Sequence, residues 1–200
     1  MSSPLAARLA VVALSLAGAS VATAQVTAPV APSFEIRVPG GQFIGTGAQR
    51  DQLKDAQTTA AQVSWLLRPH LALTGTFSWA RSRDIAVADA PKLDVFTTDI
   101  GLEARTTEIL RSERVALRGF AGFGAGARSY NYRKLDAAAT HNLAGYAAIG
   151  GEARMGRVGL RLEARDYATG FKPLDGAGKS STRNDVVIMA AVTLHPRAAR

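Results

Sequence analysis

Cysteine is absent from the 200 residues. That excludes a disulfide scaffold, a thiolate metal centre and a thiol nucleophile. Aromatic residues are scarce at 6%, and histidine occurs only three times. Lysine is scarce too: of 24 basic residues 5 are Lys and the other 19 are Arg. Beyond the N-terminal segment no run of ~18 apolar residues occurs, so no second helical span is expected. What is present is 47% hydrophobic residues, too many for a disordered chain. The length suits one domain or two very small ones. The net charge is +8, which suggests an acidic partner such as nucleic acid. Arginine, however, suits buried bidentate pairing with carboxylates, so the placement of the arginines matters more than their total.

Met1 to Gln25 reads as a secretory signal peptide. Arg8 supplies the positive n-region, Leu9 to Ala17 the apolar core, and Ala22-Thr23-Ala24 the small-x-small cleavage site. Its removal (residues 1–24) takes one Arg and leaves +7. Export makes cytoplasmic nucleic acid an unsuitable partner. Residues 25–33, with two prolines, read as a flexible leader.

The remainder alternates with period two, which separates two faces of a strand and would mix them on a helix. In Val158 to Arg165 one face is Val158, Leu160, Leu162 and Ala164; the other is Gly159, Arg161, Glu163 and Arg165. The pattern predicts eight strands near 34–44, 57–67, 71–81, 93–106, 114–130, 143–155, 157–170 and 184–194. Short links at 68–70, 107–113 and 155–156 alternate with long polar ones at 45–56, 82–92, 131–142 and 171–183. This is an all-β, eight-stranded, antiparallel up-and-down sheet.

A soluble sandwich would turn its charged face to water. A transmembrane barrel inverts this, with apolar residues facing lipid. The polar face carries Glu35, Arg37, Asp99, Glu103, Arg105, Arg118, Glu152, Arg154, Arg161, Glu163 and Arg165. Five acids and six arginines nearly balance, as a salt-bridged filled lumen requires, because unpaired charges there would be costly. Trp65, Phe77, Trp79 and Phe96 lie on the apolar face near strand ends, where aromatic girdles sit. Closure would also remove the unpaired edges that lipid forbids.

With its signal peptide, eight alternating strands, Gly-Phe-Gly-Ala-Gly-Ala (122–127), Leu-Arg-Leu-Glu-Ala-Arg-Asp-Tyr (160–167) and Arg-Asn-Asp-Val-Val (183–187), the chain resembles the small eight-stranded outer-membrane β-barrels of Gram-negative bacteria. This is the OmpA-like and OmpX-like group with the broader outer membrane protein β-barrel domain. The resemblance covers 34–194. It implies an outer-membrane location, insertion by the barrel-assembly machinery and a monomer. Such barrels usually end on an aromatic residue, whereas residues 195–200 form a His-Pro-Arg-Ala-Ala-Arg tail. That tail is either an extension past the last strand or an atypical insertion signal.

No catalytic, metal or cofactor constellation is recognised. His70, His141 and His195 fall in a short turn, a long loop and the tail, without metal-ligand spacing. A lipid A deacylase would need a His and a Ser together on the lipid-facing side with an acid behind the His, and no His-x-Ser occurs. Gly122-x-Gly124-x-x-Ala127 lies inside a strand with no following helix, so it is no dinucleotide fingerprint. Eight strands leave an interior just wide enough for side chains, which favours a filled lumen over a pore. The outer loops carry Arg81, Arg83, Asp84, Lys92, Arg133, Lys134, Lys172, Lys179 and Arg183, whose cations could meet lipopolysaccharide phosphates or simply be solvated. The expectation is a non-catalytic outer-membrane barrel with a structural or surface-binding role. The alternatives are a soluble periplasmic lipocalin-like barrel for an apolar ligand and a lipid-modifying barrel enzyme.

Overall fold

A computed structural model describes residues 33–133, 139–171 and 181–194. The signal peptide, most of the leader, the C-terminal tail with His195, and loop residues Lys134, Lys172 and Lys179 lie outside the described residues.

Alternating segments become strands: β1 (Ser33–Arg37), β2 (Gly40–Thr46), β3 (Ala56–Arg68), β4 (Leu71–Arg83), β5 (Lys92–Arg111), β6 (Ala116–Tyr132), β7 (Thr140–Met155), β8 (Val158–Phe171) and β9 (Ser181–Leu194). All neighbouring strands pair antiparallel. The first predicted strand, 34–44, is broken in two at Val38-Pro39, since proline has no N–H to give the ladder. The register survives the break. Arg37 pairs with Gln62 and Gly40 with Thr59, and on the other side Arg37 pairs with Thr193 and Gly40 with Ala190. The Pro39 carbonyl accepts the Ala60 N–H at 2.8 Å, bridging the gap. β1 and β2 thus act as one strand between β3 and β9 and close an eight-position ring.

The short connections lie at one end. Met155 pairs with Val158 across a two-residue turn whose first central residue, Gly156, has φ +62°, a value glycine adopts without steric cost. The long connections lie at the other end. There Gly47–Gln49 forms a 3-10 turn, and Gln49 and Leu53 are buried. Leu53 bridges to Asp84 and joins a cluster with Phe43, Leu93 and Tyr132, so this loop folds over the ring's mouth.

The wall is inverted. Arg161 is 2% exposed and its neighbour Leu162 is 58% exposed. Ile100, Phe123, Leu143, Leu160, Ile188 and Val192 likewise face out. No helix among the described residues is long and apolar enough to cross a membrane, a criterion that does not bear on strands.

Candidate functional site: a charged interior and a basic outer rim

Inner-face positions of β1, β5 and β8 bring four arginines and four carboxylates into one chain. Arg37 bonds Glu35 and also donates to Gln62 Oε1 at 2.9 Å and Ser64 Oγ at 2.8 Å. Arg105 grips Glu35 with two N–H groups at 2.9 and 2.7 Å and reaches Glu103 at 2.8 Å. Arg161 joins Glu103 at 2.5 Å to Glu163 at 2.8 Å. Arg165 bonds Glu163 and donates to Asp99 at 2.9 Å, and the Tyr167 hydroxyl donates to the same carboxylate at 2.7 Å. Each group alternates in sign with the next, and each side chain is at most 7% exposed. Pairing of every guanidinium with a carboxylate is what makes this buried charge tolerable, with only the Arg37 Nε of the eight side chains left without an acceptor.

Aromatic rings brace the guanidinium groups from the side. Arg161 stands 3.3 Å from the Phe120 ring centre, and Arg165 4.6 Å from that of Tyr146. These rings occupy space that side chains on neighbouring strands would fill. A Cβ at Gly150 would collide with Phe120, and one at Gly101 or Gly124 with Tyr146. The glycines are thus required by close approach.

Not every expected member joins. Arg118 pairs instead with Glu108 at 3.3 Å near the short-turn end, where its side chain is 34% exposed. Arg154 turns back to the Gly156 carbonyl at 3.0 Å. Glu152, next to Arg118 in register, sits half-buried at the same end. Arg118 and Arg154 thus take partners at the short-turn end rather than in the chain. Conversely, the pair Arg128–Asp185 was not foreseen. It is fully buried toward the long-loop end, with Arg128 Nε donating to Thr97 Oγ1 at 3.0 Å and its guanidinium over Tyr167. The signal was present in parity, since both residues occupy inner-face positions. With this pair the buried interior holds five arginines against five paired carboxylates. Asp84, expected as a loop residue, is also buried, and accepts from the Tyr132 hydroxyl at 2.7 Å and the Ala86 N–H at 3.2 Å.

The four aromatic residues expected as a girdle all face outward but divide between two heights. Trp65 stacks on Phe34 near the short turns. Trp79 stacks on Phe96, and Phe96 on Phe77, toward the long loops. Just above, Asp94 receives the Trp79 indole N–H at 3.0 Å and two Arg133 N–H groups at 2.5 and 2.7 Å. The hydrogen bond to Asp94 raises the Arg133 pKa above its usual value.

His141 belongs to β7, not to a loop, and its Nδ1 lies 2.7 Å from Ser129 Oγ on the outer wall. A search along one strand for His-x-Ser misses this pair because it forms across β6 and β7. Among the described residues no carboxylate bonds the His141 ring, and none of the His, Asp and Glu side chains gather into a metal-binding group.

No family model matches the chain, and no curated protein matches it. Solved structures do. Neisserial surface protein A superposes with a TM-score of 0.61 at 9% identity, over 82% of this chain and 99% of that one. The N-terminal β-barrel domain of Pseudomonas aeruginosa OprF gives 0.45 at 9% identity, over 80% and 97%. Outer membrane protein AlkL, solved in DMPC lipid bilayers, gives 0.42 at 14% identity, over 89% and 99%. By its ring of antiparallel strands and its likeness to the Neisserial protein, this chain has the fold of the small eight-stranded outer-membrane β-barrels.

Proposed function

We propose that the protein is a non-catalytic barrel of the bacterial outer membrane, with an interior sealed by ion pairs and a structural or surface-binding role. The observation that carries this reading is the alternating chain from Arg37 to Asp99. Eight strands enclose little more than their own side chains, and here those side chains grip one another. An interior of this chemistry offers no apolar chamber of the lipocalin kind. The apolar outer wall supports placement in lipid, where only a closed barrel leaves no strand edge unpaired. Assembly as a monomer by the barrel-assembly machinery follows from the same reading.

A lipid-modifying enzyme is the weaker reading. Ser129 and His141 supply a nucleophile and a base on the outer wall, but an acid to orient the base is missing from the described residues, and triad chemistry depends on that orientation.

The test is reconstitution. Purified protein should migrate on a gel as a heat-modifiable band and give no stepwise conductance in a planar bilayer at 100 mV. Mature protein recovered in the periplasmic soluble pool without detergent would overturn the membrane placement. Regular open-channel steps would overturn the sealed interior.

A further inference from the structure

The long-loop rim over β3–β6 carries a cavity of about 420 Å³ lined by Lys54, Arg81, Arg83, Lys92 and Arg133. Two acids, Asp55 and Asp94, line it as well. Both have internal partners. Asp94 is held by Arg133 and Trp79, and Asp55 accepts the Gly45 N–H at 3.2 Å. The Lys54 backbone is held in place, its N–H donating to the Arg83 carbonyl at 3.0 Å and its carbonyl accepting from Ser82 Oγ at 2.5 Å, while the residue itself is exposed.

The register supplies the sharper observation. Arg83 lies directly opposite Lys92 on the outer face of β4 and β5. Like charges at such positions repel and destabilise a sheet. Both are exposed, and among the described residues neither forms a salt bridge. One step down the same ladder Arg81 faces Asp94, with its guanidinium 4.1 Å from the Trp79 ring centre rather than on the carboxylate. Below come Trp79 opposite Phe96, Phe77 opposite Thr98, Gly75 opposite Ile100, and Leu73 opposite Leu102. No atom lies within 4 Å of where a Gly75 Cβ would stand, so the wall has a notch there. Read downward, one strip of wall runs from free cations through a stacked aromatic belt to an apolar notch. That is the polarity profile of a single phospholipid or glycolipid molecule standing in the outer leaflet.

We infer that this strip is a specific site for a phosphate-bearing lipid, whose phosphate sits between Arg83, Lys92 and Arg81 and whose acyl chains lie against Phe77, Gly75 and Ile100. The inference rests on the outer-membrane placement proposed above. The phosphate supplies the negative charge that the opposed cations lack. The lipid-facing aromatic belt distinguishes a membrane lipid from a soluble polyanion, which would use the cations alone.

The experiment uses detergent-folded full-length protein and native mass spectrometry. The probes are bisphosphorylated lipid A, the same glycolipid with both phosphates removed, and soluble inorganic polyphosphate. The wild type should retain the bisphosphorylated lipid. Arg83→Gln with Lys92→Gln should weaken retention at least about tenfold, in line with the attraction of two basic residues to an anionic surface. Arg157→Gln, at the opposite end, should change nothing. Equal retention of the dephosphorylated glycolipid, or equal retention by the double variant, would overturn the site. Polyphosphate competing as strongly as the lipid would overturn the lipid assignment. Heat-modifiable migration of the same sample separates the two readings. A folded barrel indifferent to phosphate overturns the site alone, and a protein soluble without detergent overturns the membrane placement as well.

Discussion

Arg165 on β8 reaches across the barrel to Asp99 on β5, donating at 2.9 Å to a carboxylate that also receives the Tyr167 hydroxyl at 2.7 Å. The two residues are 66 positions apart in sequence and three strands apart around the ring. This contact ties opposite walls together, which ladder hydrogen bonds between neighbouring strands cannot do.

Asp99→Ala should therefore be strongly destabilising. It strands Arg165 beside Glu163 alone and leaves the Tyr167 hydroxyl without its acceptor. Breaking a buried pair from one side costs about 3–5 kcal/mol. Urea unfolding of the barrel in detergent, followed by tryptophan fluorescence, should show this loss. Asp99→Leu combined with Arg165→Met should recover much of it, because no uncompensated charge remains. A double variant no better than the single one would argue against the pairing.

Gly150→Ala should push the Phe120 ring from its seat and thus disturb Arg161, which stacks on it. Overpacking of this kind costs about 1–3 kcal/mol. Phe120→Leu in the Gly150→Ala background should relieve only the ring contact and leave most of the loss, because the added Cβ would also stand 2.2 Å from the Leu162 backbone carbonyl oxygen. If Gly150→Ala unfolds at the wild-type urea concentration, the ring does not occupy the inner face as described.

Glu163 holds two arginines, Arg161 and Arg165. Glu163→Ala should cost more than Glu108→Ala, whose arginine partners Arg111 and Arg118 are 78% and 34% exposed and contribute little when solvated. The expected difference is about 2 kcal/mol or more. The same pair of variants can be compared in planar bilayers, where only Glu163→Ala should raise the leak. Equal behaviour of the two variants, in stability and in leak, would remove Glu163 from the interior.

The Ser129–His141 pair should prove structural. A fluorophosphonate probe should not label Ser129, and Ser129→Ala should leave the acylation pattern of the host lipid unchanged. Stoichiometric labelling lost on His141→Ala would restore the enzyme reading.

Much of the fold was legible in the one-dimensional pattern. Alternation assigned the two faces of β8 residue by residue, because a period of two maps directly onto the two sides of a strand. Strand number and the division into short and long connections followed from turn residues and polar stretches. The split of the first strand was also visible in principle, since Pro39 stands in the run. Its consequence was not, for only the unbroken register on both sides makes the two pieces act as one.

Sign and parity, with the signal peptide and the aromatic residues on the apolar face, pointed to an inverted barrel with arginines and carboxylates within. The tertiary structure decided who pairs with whom. Period two places a charge inside but says nothing about its height relative to a strand three positions around the ring, and height depends on the register accumulated through every hairpin between. That accumulation brings Arg165 to Asp99 and Arg128 to Asp185, leaves Arg118 and Arg154 at the turn end, and sets Arg83 against Lys92 on the outer rim.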